Sequence, residues 1–326
     1  MSSPLISVIV PCYNSDKTLE KCLNSLINSN NVNLQIIVAN DGSTDNSDYI
    51  CKKYASKGQI TYLSLPHKGV SATRNAAFAS IKGDYVGFVD SDDYVEPDMF
   101  YKLLNSLTAN KCEIAVCGYL QHLKGEITSI HHSKEKNVNF HTFKKLLFSD
   151  INTEGFLFNK LFSVKAINNH FFNVKINACE DLLFITTLNL SEHSTVSYVP
   201  EALYHYIKSD SSLTVVKNFF KNGYFLYYPA FHKLRTLTKD KELLMLINIK
   251  YKNIVKYSLG VSIDNYLNCS SNKSTHLLQV KKLKKELRRS IQYIDKNKLS
   301  FKQRLLLLID AISPSQILIF MREFFK

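Results

Sequence analysis

DYVGFVDSDDYVEPDMF, residues 84–100, is the stretch on which the reading of this chain turns. It opens with YVGFV, a β-branched and aromatic run of a strand's length. It then releases four carboxylates close together: Asp90, Asp92, Asp93 and Glu96. Like charges at that spacing repel and resist burial. A buried strand that ends in them ends where something else offsets their charge. Pro97 follows and marks the start of a helix over 98–107.

The same pattern repeats outward from this stretch. Strand runs at 6–10, 34–39 and 60–65 alternate with helix-period segments at 17–29 and 49–54 and with the small-residue segment GVSATRNAAFAS, 69–80. A fifth strand is expected at 113–119. Strands separated by helices predict an α/β fold, a mostly parallel sheet with helices on both faces. Ligands of such sheets bind beyond the carboxyl ends of the strands. Three polar clusters fall there: Tyr13-Asn14, residues 40–43 (NDGS) and residues 90–93.

Beyond residue 120 the pattern loosens. HLKGEITSIHHSKEKN reads as a polar hairpin or loop. EGFLFNKLFSVKAI has a strand-like start with a lysine embedded in it. ACEDLLFITTLNL reads as a helix opening on Glu180-Asp181. TVSYVPEALYHYIKSDSSLT reads as two short strands and a polar turn, with His205 packed between tyrosines. After about residue 217 the helix period dominates. Two domains are therefore expected, 1–216 and 217–326.

Composition sets outer limits. A chain of 326 residues with 45% hydrophobic residues can bury a sizeable core. Seven scattered cysteines with no Cys-x-x-Cys argue against a zinc site or a disulfide framework, and for a reducing cytoplasm. The first residues lack the pattern of a secretory leader. The net charge of +13 is uneven: −2 over 1–110, zero over 111–216 and +15 over 217–326. The excess predicts an acidic partner surface for the last third. Within it, THLLQVKKLKKELRRSIQYI (275–294) is a basic amphipathic helix, with Val280, Leu283, Leu287, Ile291 and Ile294 on one face. The segment 301–326 carries two short apolar runs broken by Pro314, too short to span a bilayer. Both suit an anionic membrane surface; packing against protein is the alternative. No motif supports nucleic-acid binding.

Neither the dinucleotide glycine loop nor the P-loop is present. Grouped carboxylates at a strand end are another way to manage a diphosphate, since they hold a hard divalent cation that also binds phosphate. Asp90 and Asp92 suit that role, while Asp93 points elsewhere.

SVIVPCYN, NDGSTDNS, GVSATRN, FVDSDD and EDLLF, in this order and spacing over about residues 5–215, resemble family 2 inverting glycosyltransferases. The resemblance implies a GT-A-type, Rossmann-like sheet followed here by a C-terminal helical region. It implies a UDP-sugar donor and a glycan or lipid-linked acceptor. Pro11, Tyr13 and Asn14 would line the nucleoside pocket, and Asp41 would recognise the base. Arg74 would support the diphosphate, though it equally suits a structural ion pair with Asp90 or Asp92. Asp90 would lie near the ribose and metal, with Ser91 beside it, and Asp92 would be the principal ligand of Mn²⁺ or Mg²⁺. Asp181 would be the catalytic base. Glu180 and Lys160 would face the acceptor. Lys208 stands where the family often has Arg, and would contact the diphosphate. The expected setting is the inner face of a bacterial membrane, with oligomerisation possible. A non-catalytic nucleotide-sugar-binding partner subunit is the rival reading.

Overall fold

The computed structural model describes residues 4–131, 136–150, 152–208, 219–221, 223–268 and 272–292. The chain divides into two compact units, residues 1–215 and 216–326. The first runs β1 (Leu5–Cys12), α1 (Leu19–Ile27), β2 (Asn33–Asp41), α2 (Ser47–Ser56), β3 (Thr61–Leu65), α3 (Val70–Phe78), β4 (Tyr85–Phe88), β5 (Tyr94–Val95), α4 (Met99–Ala109), β6 (Ile114–Leu123), β7 (Glu126–Ile130), β8 (Lys136–Asn139), α5 (Phe140–Ser149), β9 (Lys160–Ser163), α6 (Val164–Ile167), α7 (Glu180–Thr186) and β10 (Thr195–Lys208).

The main sheet has the order β3-β2-β1-β4-β9-β6-β10-β5. β1, β2, β3 and β4 are parallel, as are β6 and β10. β9 runs antiparallel to both of its neighbours. This is the mostly parallel α/β sheet expected. Its apolar strands are buried because helices cover them: Val8, Val10, Ile36, Val38 and Val89 join Leu23, Phe100 and Leu103 in one core. Gly87 is a tight point. A Cβ there would lie 2.6 Å from the Phe100 ring, so α4 packs on β4 only because that position has no side chain.

The sheet places its ligand edge. β1 lies between β2 and β4 and pairs Ile9 with both Ile37 and Phe88. The carboxyl ends of these three parallel strands therefore deliver Tyr13, Asp41 and Asp90 to one edge, where a doubly wound sheet opens its crevice.

Two local expectations are corrected. The strand expected at the start of EGFLFNKLF begins only at Lys160. The two short strands expected after residue 195 are one, β10, of 14 residues. It passes straight through Pro200, which has no N–H to give the ladder. Its register against β6 slips between Tyr198 and Ala202 and again before Tyr204.

The second unit contains β11 (Phe220–Lys221) paired with β12 (Tyr224–Phe225), then α8 (Tyr228–Leu237), α9 (Lys241–Asn268) and α10 (Lys273–Gln292). Arg235 of α8 donates from Nε to Asn248 Oδ1 at 2.6 Å and lies 4.3 Å from the Tyr251 ring. Tyr251 donates to Glu286 of α10 at 3.1 Å. The apolar stripe of α10 does not face outward: Val280, Leu283, Leu287 and Ile291 are buried, and α10 packs on α9. Lys284, read as part of the outward basic face, is buried too, and burial with Arg288 nearby lowers its pKa. The expectation that this stripe lies in a membrane surface is thus corrected, because a helix partner already covers it. Ile294 and the apolar segment 301–326 lie outside the described residues. Among the described residues no helix is long and apolar enough to cross a membrane.

Candidate active site

Three strand-end loops are stitched together by side chains chosen for turns. The Asn14 main-chain N–H donates to Ser43 Oγ at 3.0 Å, and Thr44 N–H donates to Asn14 Oδ1 at 2.8 Å. Asn14 itself has φ +49, a left-handed conformation that asparagine tolerates. Ser15 and Ser91 share a hydrogen bond of 2.8 Å, tying the first loop to the carboxylate loop. Pro11 is buried at the end of β1, while Tyr13 stands out with 46% of its surface exposed. Asp41 is buried. Its two carboxylate oxygens accept the main-chain N–H groups of Lys68 (2.8 Å) and Gly69 (2.9 Å).

The four acids of the opening stretch separate by role. Asp93 is buried and fully engaged by β10: Tyr204 O–H donates to Oδ2 and Ile207 N–H to Oδ1, both at 2.7 Å. Burial and then the charges of Asp90 and Asp92 push its carboxyl up to about 9. Tyr204 also accepts the Asp90 N–H at 3.1 Å, so one phenol braces the whole loop. Glu96 has a partner as well, His205 Nε2 at 2.7 Å. His205 in turn bonds His122 at 2.9 Å and stacks on Tyr94. It is the packed histidine expected. Asp92 alone is exposed, and its carboxylate accepts no hydrogen bond from another described residue. The crowding of the surrounding protein, with Asp90 beside it, pushes it up to about 6.

Arg74 joins distant parts of the chain. The small-residue face of α3 lets its side chain run into the interior, where it is 5% exposed. Its guanidinium reaches Asp181 Oδ1 at 2.6 Å, Asp90 Oδ1 at 3.3 Å and Glu180 Oε1 at 3.4 Å, and lies 5.4 Å from the Phe172 ring. Glu180-Asp181 open α7 behind Cys179, whose φ of +57 is a strained conformation for a residue with a Cβ. The resemblance assigned these carboxylates separate roles; the structure brings them to one cation. Burial pushes Asp181 up to about 8, with Glu180 and Asp90 adding to the rise and Arg74 opposing it. The upward push prevails because three carboxylates share one guanidinium. Arg74 itself is held firmly charged: burial works against its charge, and Asp181, Asp90 and Glu180 outweigh that.

Three carboxylates face one guanidinium and Asp92 stands beside Asp90, an excess of negative charge that a divalent cation fits. Among the described residues no group of three His, Cys, Asp or Glu forms a complete metal cage. Asp90 and Asp92 would therefore supply part of a coordination shell, leaving the remainder to phosphate oxygens and water, as hard cations of this class prefer.

Of the two expected lysines, the structure places one differently. Lys160, read as facing the acceptor, is wholly buried. Its ammonium donates to the main-chain oxygens of Glu154 (2.8 Å) and Phe156 (2.6 Å) and to Asn159 Oδ1 (2.8 Å). All three hydrogens are used, and burial lowers its pKa to about 7. It knots the 154–159 loop and has no hydrogen left for an acceptor. Lys208 ends β10 with its ammonium 5.3 Å from the Tyr206 ring, its pKa lowered by partial burial. Among the described residues no contact joins it to the Arg74 cluster.

Tyr204 and His67 were absent from the expected site. Tyr204 acts through the pairing of β10 with β5, more than a hundred residues apart in sequence, which no local pattern reports. His67 follows Pro66 in a turn, where a lone histidine carries little signal; it packs on Tyr13.

A strand-end carboxylate loop is thus tied through a buried arginine to a distant Glu-Asp pair. The sequence profile of glycosyl transferase family 2 matches residues 7–171, half of the chain. The chain belongs to glycosyl transferase family 2. This glycosyltransferase is 29% identical over 241 residues to the putative glycosyltransferase EpsH of Bacillus subtilis, covering 70% of this chain and 68% of that protein. It is 30% identical over 216 residues to the minor teichoic acid biosynthesis protein GgaB of the same organism, covering 63% of this chain but 23% of GgaB. Among solved structures, Staphylococcus aureus TarS 1–349 in complex with UDP-GlcNAc superposes with a TM-score of 0.68 at 18% identity, over 94% of this chain and 86% of that one. At that identity the likeness is one of fold.

Proposed function

We propose that this family 2 glycosyltransferase moves a hexose or N-acetylhexosamine from a UDP-sugar to a hydroxyl of a glycan or lipid-linked acceptor, with inversion. The observation that carries the reading is the Arg74 cluster, which holds Asp181 beside the carboxylate loop. Tyr13 and Asp41 offer an aromatic face and a carboxylate to the base. Ser91, Asp90 and Lys208 are assigned to the ribose and diphosphate side. Glu180, beside Asp181, is kept as the acceptor-side contact; Lys160 is not. Asp90 and Asp92 would hold Mn²⁺ or Mg²⁺, which when bound supplies Lewis-acid stabilisation of the departing diphosphate.

In the reaction, Asp181 takes the proton of the acceptor hydroxyl as that oxygen attacks the anomeric carbon. The new C–O bond forms on the face opposite the diphosphate, the bond from sugar to phosphate breaks, and UDP leaves. The proton stays on Asp181 until solvent removes it. A carboxyl pushed up to about 8 is a stronger base than an ordinary one, which suits this step.

Metal-dependent UDP release from UDP-Glc, UDP-Gal, UDP-GlcNAc or UDP-GalNAc tests the reading. Release is expected with at least one donor, and Asp92→Ala is expected to abolish it without lowering the melting temperature. Asp93→Ala should instead lower stability by about 2 kcal/mol, since it strands a buried phenol and a main-chain N–H. No release from any donor, or a melting temperature that falls for Asp92→Ala and not for Asp93→Ala, would overturn the assignment.

We assign membrane contact to the exposed charged face of α10, Lys281, Lys285, Arg288 and Arg289. Each such residue contributes roughly 1 kcal/mol near an anionic leaflet. Replacing all four by Glu should release the protein from anionic phospholipid vesicles in co-sedimentation; unchanged binding would reject the assignment.

A further inference from the structure

We propose that His67 competes with the donor's nucleobase for the corner formed by Tyr13 and Asp41, and so sets donor affinity. The inference rests on the nucleotide reading above. The His67 ring stacks on Tyr13, with centroids 4.4 Å apart and planes inclined by 26°. Its Nδ1 lies 3.0 Å from Asp41 Oδ2 and 3.1 Å from the Asp41 main-chain oxygen. Both neighbours are acceptors, so Nδ1 carries the hydrogen and donates. Gly42 makes the approach possible. Its φ is +68, and a Cβ there would stand 2.8 Å from the His67 main-chain nitrogen.

The corner thus holds a planar heteroaromatic ring, stacked on an aromatic face, with a ring nitrogen bonded to the Asp41 main-chain oxygen and 3.0 Å from its carboxylate. A uracil ring bound to Tyr13 and Asp41 would present the same features. A base on the same Tyr13 face and against the same carboxylate oxygen would overlap the His67 ring. Asp41 Oδ2 already accepts the Gly69 N–H, and His67 Nδ1, 3.0 Å away, occupies its open side. The Tyr13 face that His67 covers is closed to a base as well. His67 itself is held lightly: its side chain is 57% exposed, and Asp41 is its hydrogen-bond partner. A turn about its side-chain bonds moves it into solvent, while the backbone N–H groups of Lys68 and Gly69 keep Asp41 in place for the incoming base. His67 therefore satisfies the corner before the donor arrives and must leave when it binds.

Calorimetric titration of the full chain with UDP tests this. His67→Ala should bind UDP about tenfold more tightly than the wild type, equivalent to about 1.4 kcal/mol. His67→Phe, which keeps a stacking face but loses the N–H, should fall between the two. In wild-type protein the His67 ring-proton signals, assigned by their loss in His67→Ala, should shift on UDP addition as the ring leaves Tyr13. Equal or weaker UDP binding by His67→Ala overturns the proposal, as do ring signals that UDP does not move. Binding by His67→Ala alone would support a strong competitor. If neither protein binds UDP, the nucleotide reading falls first and this inference with it.

Discussion

Asp181→Asn should keep UDP affinity close to that of the wild type while turnover falls by about 10²–10⁴-fold, the contribution of a well-placed general base. The amide preserves the shape of the side chain beside Arg74 and removes the proton acceptor. The pH profile supplies an independent check. The acidic limb of kcat/KM reports ionisation of the free enzyme's base. Asp181 must be ionised to act, and it is pushed up to about 8. The rate should therefore climb with pH, by roughly tenfold per unit, and level above that value. Asp181→Asn should lose this limb. Full activity in Asp181→Asn, or a wild-type profile flat from acid to alkali, would remove Asp181 from the role of base.

Arg74→Met should be the most destabilising single change in the first unit. Arg74 is buried among Asp181, Glu180 and Asp90, and removing it leaves three carboxylates facing one another without a counter-charge. Breaking a buried ion pair in this way costs about 3–5 kcal/mol. For a unit of this size that lowers the melting temperature by about 6–20 °C. The sign of the pH dependence follows. Arg74 contributes only while its partners are ionised, so the deficit should be large at alkaline pH and shrink as acid protonates them. Arg74→Lys should recover only part of the loss, because one ammonium cannot span three carboxylates as a planar guanidinium does. A variant that melts with the wild type, or whose deficit grows in acid, would show that the cluster is not held by Arg74.

The fold was legible where structure is local. β1, β2, β3 and β4 are apolar runs bounded by turn formers, and the covered parallel sheet follows from their alternation with helices. Of the residues singled out from the sequence, Arg74, Asp90 and Asp181 meet in one cluster and Asp92 stands beside Asp90. What escaped depends on partners far along the chain. β5 has two residues and exists only because β10 pairs with it. The segment from Thr195 reads as two short strands, yet a bulge carries one strand through Pro200. Lys160 shows the same limit: a lysine in an apolar run could as well face a substrate as fold inward, and only the 154–159 loop, with three oxygens turned toward it, decides. Similarly, the heptad-like stripe of α10 revealed an apolar face without saying what covers it.

The hydrogen bond from Tyr204 to Asp93 spans 111 residues, and that distance has a temporal meaning. A ribosome makes the carboxylate loop long before it makes the strand that braces it, because chains emerge N-terminus first. Until β10 emerges, the Asp93 carboxylate and the Asp90 N–H lack their partners, and the mutual repulsion of the acids favours an open loop. A nascent chain that stops where the family match ends, at residue 171, lacks both Tyr204 and Asp181. On the proposed assignments, donor capture and turnover become available together, late in synthesis, and a truncated product holds parts of the proposed nucleotide site without its brace or its base.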